Sequence, residues 1–156
     1  MGEQPPDPGP DEFLLRDNLI LKELFAGYGG AAKAGGSGSD YVPAILNALT
    51  LHFLIEEQVC FPSLLSLRSP VAQSRVVVAR NAHAAIRKLL EALAAHGRKE
   101  ERALMTTLEP MVVAYMDFEE SQLLPCLSAL PEVTLREMSL EMQELLAKRG
   151  RFNPPT

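Results

Sequence analysis

The stretch "LHFLIEEQVCFPSLLSL", residues 51–67, sets His52, Glu56 and Cys60 at four-residue intervals among leucines and phenylalanines. That interval puts all three on one stripe of an α-helix, a stripe that also carries Ile45, Leu49 and Val59. Imidazole and carboxylate groups are seldom buried without partners. The first question is therefore what this pair meets inside a helical core.

The rest of the chain reads as helices for it to pack against. Residues 1–10 carry four prolines and read as a tail. Asp11 is the expected N-cap of a first helix bearing Leu14, Leu21, Leu24, Phe25 and Tyr28 on one face. The run "GYGGAAKAGGSGSD", residues 27–40, then holds six glycines, so the helix is expected to end there in a flexible connection; each glycine disfavours helix by about 1 kcal/mol relative to alanine. A second helix is predicted from about Tyr41 to the Leu67 region, with Val42, Ile45, Leu49, His52, Glu56, Val59 and Ser63 as its seam. A third starts at Pro70, a good first-turn residue, and carries Val76, Ala79, His83, Ile86, Leu90 and Leu93 to Gly97, with His96 as a partner for the dipole at its C-terminus. A fourth covers about Glu101 to Leu124, with Met105, Leu108, Val112, Tyr115 and Glu119 in line and Pro110 expected to kink or restart it. A last one follows "TLRE", where Thr134 and Glu137 have capping-box spacing ahead of Leu135, Met138, Met142 and Leu145.

No segment alternates with period two. The fold class is therefore all-α: an antiparallel up-down four-helix bundle with an additional C-terminal helix. The expected division is a disordered tail over 1–11, the bundle over 12–130, the C-terminal helix packed on it over 131–150, and a tail over 151–156. At 156 residues the chain is long enough for one domain with a real core. Its net charge of −5 offers no basic field for phosphates, so nucleic acid is not an expected partner. No run of 18 uninterrupted apolar residues is present, and the start "MGEQPPDPGPDEF" is acidic and proline-rich where a signal peptide is basic and then apolar. The expectations are a cytoplasmic protein, no membrane, a monomer or homodimer, and reduced thiols at Cys60 and Cys126, which lack a CxxC spacing.

The opening stretch has a second copy. A shift of 63 residues lays it over "AYMDFEESQLLPCLSAL", placing Glu56 on Glu119, Glu57 on Glu120, Pro62 on Pro125, Leu64 on Leu127 and His52 on Tyr115. A shift of 65 lays Asn18 over His83. The chain thus reads as two copies of one helical hairpin. Approximate two-fold packing would bring Asn18, His52, Glu56, His83, Tyr115 and Glu119 together at the bundle centre.

Two facing buried carboxylates are costly unless paired, protonated or bound to a cation, and the seams hold no lysine or arginine near them. A divalent ion, or a pair bridged by both glutamates, removes that cost. Mixed imidazole and carboxylate donors suit iron, manganese or zinc. Glu57 and Glu120 lie one residue off the seam and are expected to be solvated, and Cys60 reads as a buried thiol more readily than as a thiolate ligand.

This pattern resembles the haemerythrin-type HHE cation-binding family, in which each hairpin supplies a lone histidine on its first helix and an HxxxE on its second. The resemblance covers about residues 12 to 130 and is carried by "HFLIEEQVCFP", "NAHAAIRKLLEAL" and "EESQLLP". It implies a non-haem di-iron centre bridged by the two glutamates, with roles in oxygen binding, oxygen or iron sensing, nitric-oxide-damage repair or peroxide chemistry. His52, Glu56, His83 and Glu119 match it as metal ligands. Asn18 and Tyr115 depart from it, each standing where the family has a histidine. Tyr115 is a candidate phenolate ligand to ferric iron, which would absorb visible light, and with Glu119 a candidate catalytic residue. Asn18 is a candidate oxygen ligand or a hydrogen-bond donor to a metal-bound molecule. The departures argue against simple oxygen carriage and for oxygen-dependent oxidation or oxygen/iron sensing, with dioxygen or a small molecule as substrate, one or two iron ions as cofactor, and zinc or manganese as the other candidates. The alternative is a metal-free bundle whose pocket binds a small apolar ligand or performs acid-base catalysis. A third reading is an interaction module that docks a partner protein through the methionine-bearing last helix.

Overall fold

The computed structural model describes residues 8–95 and 97–149, so the readings placed on residues 1–7, on His96 and on 150–156 lie outside the described residues. Helix α1 spans Pro10–Lys33 and a 3-10 turn over Ser39–Tyr41 leads into α2, Val42–Ile55. The same run continues through a π turn, Glu56–Cys60, into α3, Phe61–Ser66. After a short link come α4, Pro70–Ala95, and α5, Arg98–Phe118, which passes into a second π turn, Glu119–Leu123, and a 3-10 stretch, Leu124–Ala129. Helix α6, Glu132–Arg149, closes the fold. No strand occurs among the described residues.

The hairpins α1–α2 and α4–α5 pack against each other to form the bundle, and α6 lies against α1, α2 and the first π turn. The expected stripes are its core: Leu14, Leu21, Leu24, Ile45, Leu49, Val76, Ala79, Ile86, Met105, Leu108 and Val112 are all buried, as are Met138 and Met142 of α6. Phe53 and Phe61, both 0% exposed, contribute about 2–3 kcal/mol each by leaving water. Ser39–Ser66 is apolar and long enough to cross a membrane, but 61% of its most apolar window is buried inside the bundle. Its hydropathy is that of a core helix, wrapped on several sides by other helices.

Several local expectations are corrected. The N-cap of α1 is Gly9, with Pro10 in the first turn, so Asp11 lies inside the helix near its positive end instead of capping it. Helix α1 runs on through Gly27, Gly29 and Gly30 to Lys33. The break falls later, where Gly35 and Gly38 take φ of 88° and 70°, a region closed to most side chains. Tertiary packing overrides propensity here: Tyr28 is buried, and the Tyr41 ring lies so close to Gly27 that a Cβ there would sit 2.3 Å from it. Pro110 neither ends nor restarts α5. It sits on the exposed face beside an exposed Thr106, so water can reach the carbonyl its missing N–H leaves free. Helix α6 begins at Glu132, placing Thr134 within the helix, and the capping box does not form.

The π turns matter most. Phe61 N–H bonds the Glu56 carbonyl and Leu124 N–H bonds that of Glu119, five residues back in each case. Each turn inserts one residue and advances the buried face by about 100°, so the seam continues through Cys60 and Leu64 and the expected Ser63 is only half-buried. Pro62 and Pro125 follow within the first two positions of the next segment. The 63-residue repeat is thus a repeat of backbone geometry, and both π turns start at the seam glutamates.

Candidate metal centre

The two hairpins bring six buried polar side chains to the centre of the bundle: Asn18, His52, Glu56, His83 and Glu119, each at most 1% exposed, and Tyr115 at 4%. Asn18 comes from α1, His52 from α2, His83 from α4, Tyr115 from α5, and each glutamate from the first residue of a π turn. These are the residues read from the sequence as candidates.

Their contacts follow the pseudo-symmetry of the repeat. His52 Nε2 lies 2.7 Å from Glu119 Oε2, and at the equivalent place Tyr115 donates its hydroxyl proton to Glu56 Oε2 at 2.7 Å. Asn18 Nδ2 donates to Glu119 Oε1 at 2.5 Å. His83 Nε2 lies 3.5 Å from Glu56 Oε1 and, closer, 2.9 Å from the Tyr115 hydroxyl, whose oxygen accepts there because its proton is given to Glu56. His52 Nε2 also approaches Glu56 Oε1 at 3.0 Å, without a well-directed hydrogen bond. The ligand atoms of His52, Glu56 and Glu119 all lie within 4.8 Å of one another.

Each imidazole is held from behind by a carboxylate that the sequence reading did not assign. His52 Nδ1 is 2.5 Å from Asp17 Oδ2. His83 Nδ1 is 3.0 Å from Glu57 Oε2, and Arg87 clamps that carboxylate with contacts of 2.6 and 2.8 Å. Glu57, expected to be a solvated bystander, is therefore half-buried and orients His83, whereas Glu120 is half-buried without a place in this network. The signals were in the sequence. Asp17 and Glu57 each flank a seam residue, and Arg87 follows His83 by four on the same helical face. Phe53 stacks on the His83 ring with centroids 3.9 Å apart, fixing its plane.

The charges divide unevenly. Burial works against an imidazolium at His52, but the Glu119 carboxyl and the bond to Asp17, with the Glu56 carboxylate 3.0 Å away, outweigh it and raise its pKa well above the ordinary value. Burial also opposes ionisation of Glu56, yet His52 3.0 Å away, with His83 beside it, holds that carboxyl well below the usual range. For Glu119 burial prevails, reinforced by the Glu56 charge and only partly relieved by His52, and its pKa is pushed up to about 8. Two carboxylates this close do not both ionise freely, so the proton stays with Glu119. Burial, then Glu56 and Glu119, drive the Tyr115 phenol far up. Cys60 is buried, raised first by burial and then by the same glutamates, and stands outside the three-residue ligand set; Cys126 is half-buried, with Arg75 Nη1 3.4 Å from its sulfur.

The family model of the haemerythrin HHE cation binding domain matches residues 9–127. The chain belongs to that family. Comparison with curated proteins and with solved structures gave no match.

A haemerythrin-type centre requires oxygen and imidazole donors converging on one point, and this chain can be tested for that by its orphaned atoms. Asn18 Oδ1 and Glu56 Oε1 are buried acceptors without a hydrogen-bond donor among the described residues. Leaving such groups unmet costs about 1–3 kcal/mol each, and a cation meets both kinds. The donors His52, Glu56 and Glu119 therefore fit a divalent ion. In this haemerythrin-fold bundle Tyr115 is engaged by its neighbours Glu56 and His83, and Asn18 by Glu119.

Proposed function

We propose that the protein is a non-haem metal protein, with iron ahead of zinc or manganese, that carries out oxygen-dependent oxidation or senses oxygen or iron. The observation that carries this reading is the pair of orphaned oxygen acceptors beside a buried His52–Glu56–Glu119 triangle. When bound, the ion would supply a Lewis-acidic centre able to react with oxygen. The chain's own residues would prepare the place for it. Asp17 fixes the His52 ring so that Nε2 faces the glutamates, and Asn18 holds Glu119 Oε1 so that Oε2 turns toward His52. Tyr115 holds Glu56 from the other side.

Access is apolar. A groove of about 300 Å³ between α4 and α5 is lined by Val78, Ala82, Ile86, Met111, Ala114 and Phe118 together with Tyr115 of the buried centre. Dioxygen or a small apolar substrate fits such an approach better than a charged one. The net charge of −5 likewise favours small-molecule partners over nucleic acid, and we take the site of action to be the cytoplasm. A tyrosine and an asparagine where the family has histidines leave fewer imidazoles to hold a reversible oxygen carrier, which supports oxidation or sensing over carriage.

A second reading has its own support. The contacts of Asn18, His52, Tyr115 and His83 with one another and with Asp17, Glu56 and Glu119 already meet most polar atoms of the site without an ion. A metal-free bundle that binds a small apolar molecule, with Glu119 as general acid, would look the same. Elemental analysis of protein purified without chelators separates the two. At least one equivalent of metal per chain, lost in His52→Ala, supports the first, and substoichiometric metal in the wild type sinks it.

A further inference from the structure

Building on the metal reading above, we propose that this chain holds one ion where its family pattern has two, in the half formed by His52, Glu56, Glu119 and Asn18, and that the Tyr115 hydroxyl occupies the place of the second. Three observations converge on it.

The two halves of the repeat are equivalent in position and opposite in content. His52 Nε2 and the Tyr115 hydroxyl take the same place, each 2.7 Å from the glutamate of the other hairpin. In the first half three potential ligand atoms from different elements lie within 4.8 Å of one another, with His52 Nε2 2.7 Å from Glu119 Oε2 and 3.0 Å from Glu56 Oε1. Donors that each lie about 2.1 Å from one ion are spaced about 3 Å from one another. In the second half the phenol oxygen is itself the point of convergence, 2.9 Å from His83 Nε2 and 2.7 Å from Glu56 Oε2. Those two bonds satisfy the phenol and both of its neighbours, and no atom of that trio is left without a partner among the described residues.

The orphaned acceptors favour the first half: Glu56 Oε1 is nearer to His52 Nε2, at 3.0 Å, than to His83 Nε2, at 3.5 Å, and Asn18 is bonded to Glu119. Asn18 Oδ1 and Glu56 Oε1 lack donors, whereas Glu56 Oε2, the oxygen turned toward the second half, is satisfied by Tyr115. Charge points the same way. The buried cluster contains two carboxyl groups, which together balance one divalent ion. A second ion would need further anions, and the nearest acid behind His83, Glu57, is already clamped by Arg87. Asp17, behind His52, is paired with no lysine or arginine among the described residues.

The test is a count. Metal-free protein dialysed to equilibrium against Mn(II) or Zn(II) should retain one ion per chain. The Mn(II) form should give the electron paramagnetic resonance signal of an isolated ion, and His52→Ala should retain none. In protein loaded with ferric iron, no visible phenolate band should appear that Tyr115→Phe abolishes. Two ions in the wild type, a spin-coupled pair, one ion kept by His52→Ala, or a band that depends on Tyr115 would each overturn the single-ion assignment while leaving the metal reading standing. No ion in the wild type would overturn both. The wild-type count and spectra decide the matter even if His52→Ala does not fold.

Discussion

Replacing Glu119 with glutamine separates the two roles of that side chain in one experiment. In the metal-free protein its carboxyl, pushed up to about 8 by burial, is already mostly protonated at neutral pH, so a neutral amide of the same shape changes little. Glutamine must direct its NH2 at either Asn18 or His52. Asn18 can turn its amide over and present the Oδ1 that has no donor in the wild type, so the metal-free cost should stay below about 1 kcal/mol. With an ion the case differs, because an anionic donor is lost. If affinity falls about 100-fold, saturating metal stabilises the variant by about 2.7 kcal/mol less than the wild type. At roughly 3 °C per kcal/mol for a chain of this length, the metal-induced rise in melting temperature should shrink by about 8 °C. The assay is thermal unfolding of both proteins, with and without Mn(II) or Fe(II). An equal metal-induced rise in the two proteins would refute Glu119 as a donor, and a large metal-free loss would refute its assignment as a buried neutral acid.

The remaining predictions concern pH, ring orientation, proton release and the helix before the glycine-rich turn. Because the Glu119 pKa is raised from 4.5 to about 8 in the folded state, its stabilising effect is present below pH 4.5 and is lost as pH rises toward 8. The metal-free wild type should therefore lose melting temperature relative to Glu119→Gln between pH 5 and pH 8, and parallel curves would contradict the shift. Asp17→Asn should lower metal affinity by about 10–100-fold, measured by competition with a chromophoric chelator, and should also lower the metal-free melting temperature, because Asp17 helps hold the buried His52 imidazolium. Because His52 is held protonated in the absence of metal, metal uptake at neutral pH should release protons, seen as a dependence of binding heat on buffer ionisation enthalpy. Gly30→Ala, with nothing within 4 Å of its Cβ, should gain about 0.5–1 kcal/mol, whereas Gly27→Ala should not, since its Cβ meets the Tyr41 ring.

Much of this arrangement was legible before any coordinates. Helical period placed Leu14, Leu49, Ile86 and Leu108 in the core, since one face of a helix must leave water together. The 63-residue repeat paired Glu56 with Glu119 and His52 with Tyr115 because equivalent positions of two like hairpins meet when the hairpins pack. What resisted reading was local and set by neighbours. The glycine run looked like the end of α1, yet three of its glycines are helical because Tyr28 and Tyr41 pack across that segment. The π turns raise no composition signal of their own, and they moved the seam from Ser63 to Leu64. Only the prolines that follow each glutamate hinted at them.

The sequence by itself determined an all-α bundle and the six polar groups at its centre, because periodicity and repetition are properties of the chain. Tertiary structure alone decided how those groups share their bonds: that Asp17 stands behind His52, that Glu57 and Arg87 stand behind His83, and that the Tyr115 hydroxyl fills the gap between His83 and Glu56. The reason is physical. A burial pattern fixes which face of a helix turns inward, but the direction of a hydrogen bond depends on ångström-scale distances between residues from different helices, and those are set only when all the helices have packed.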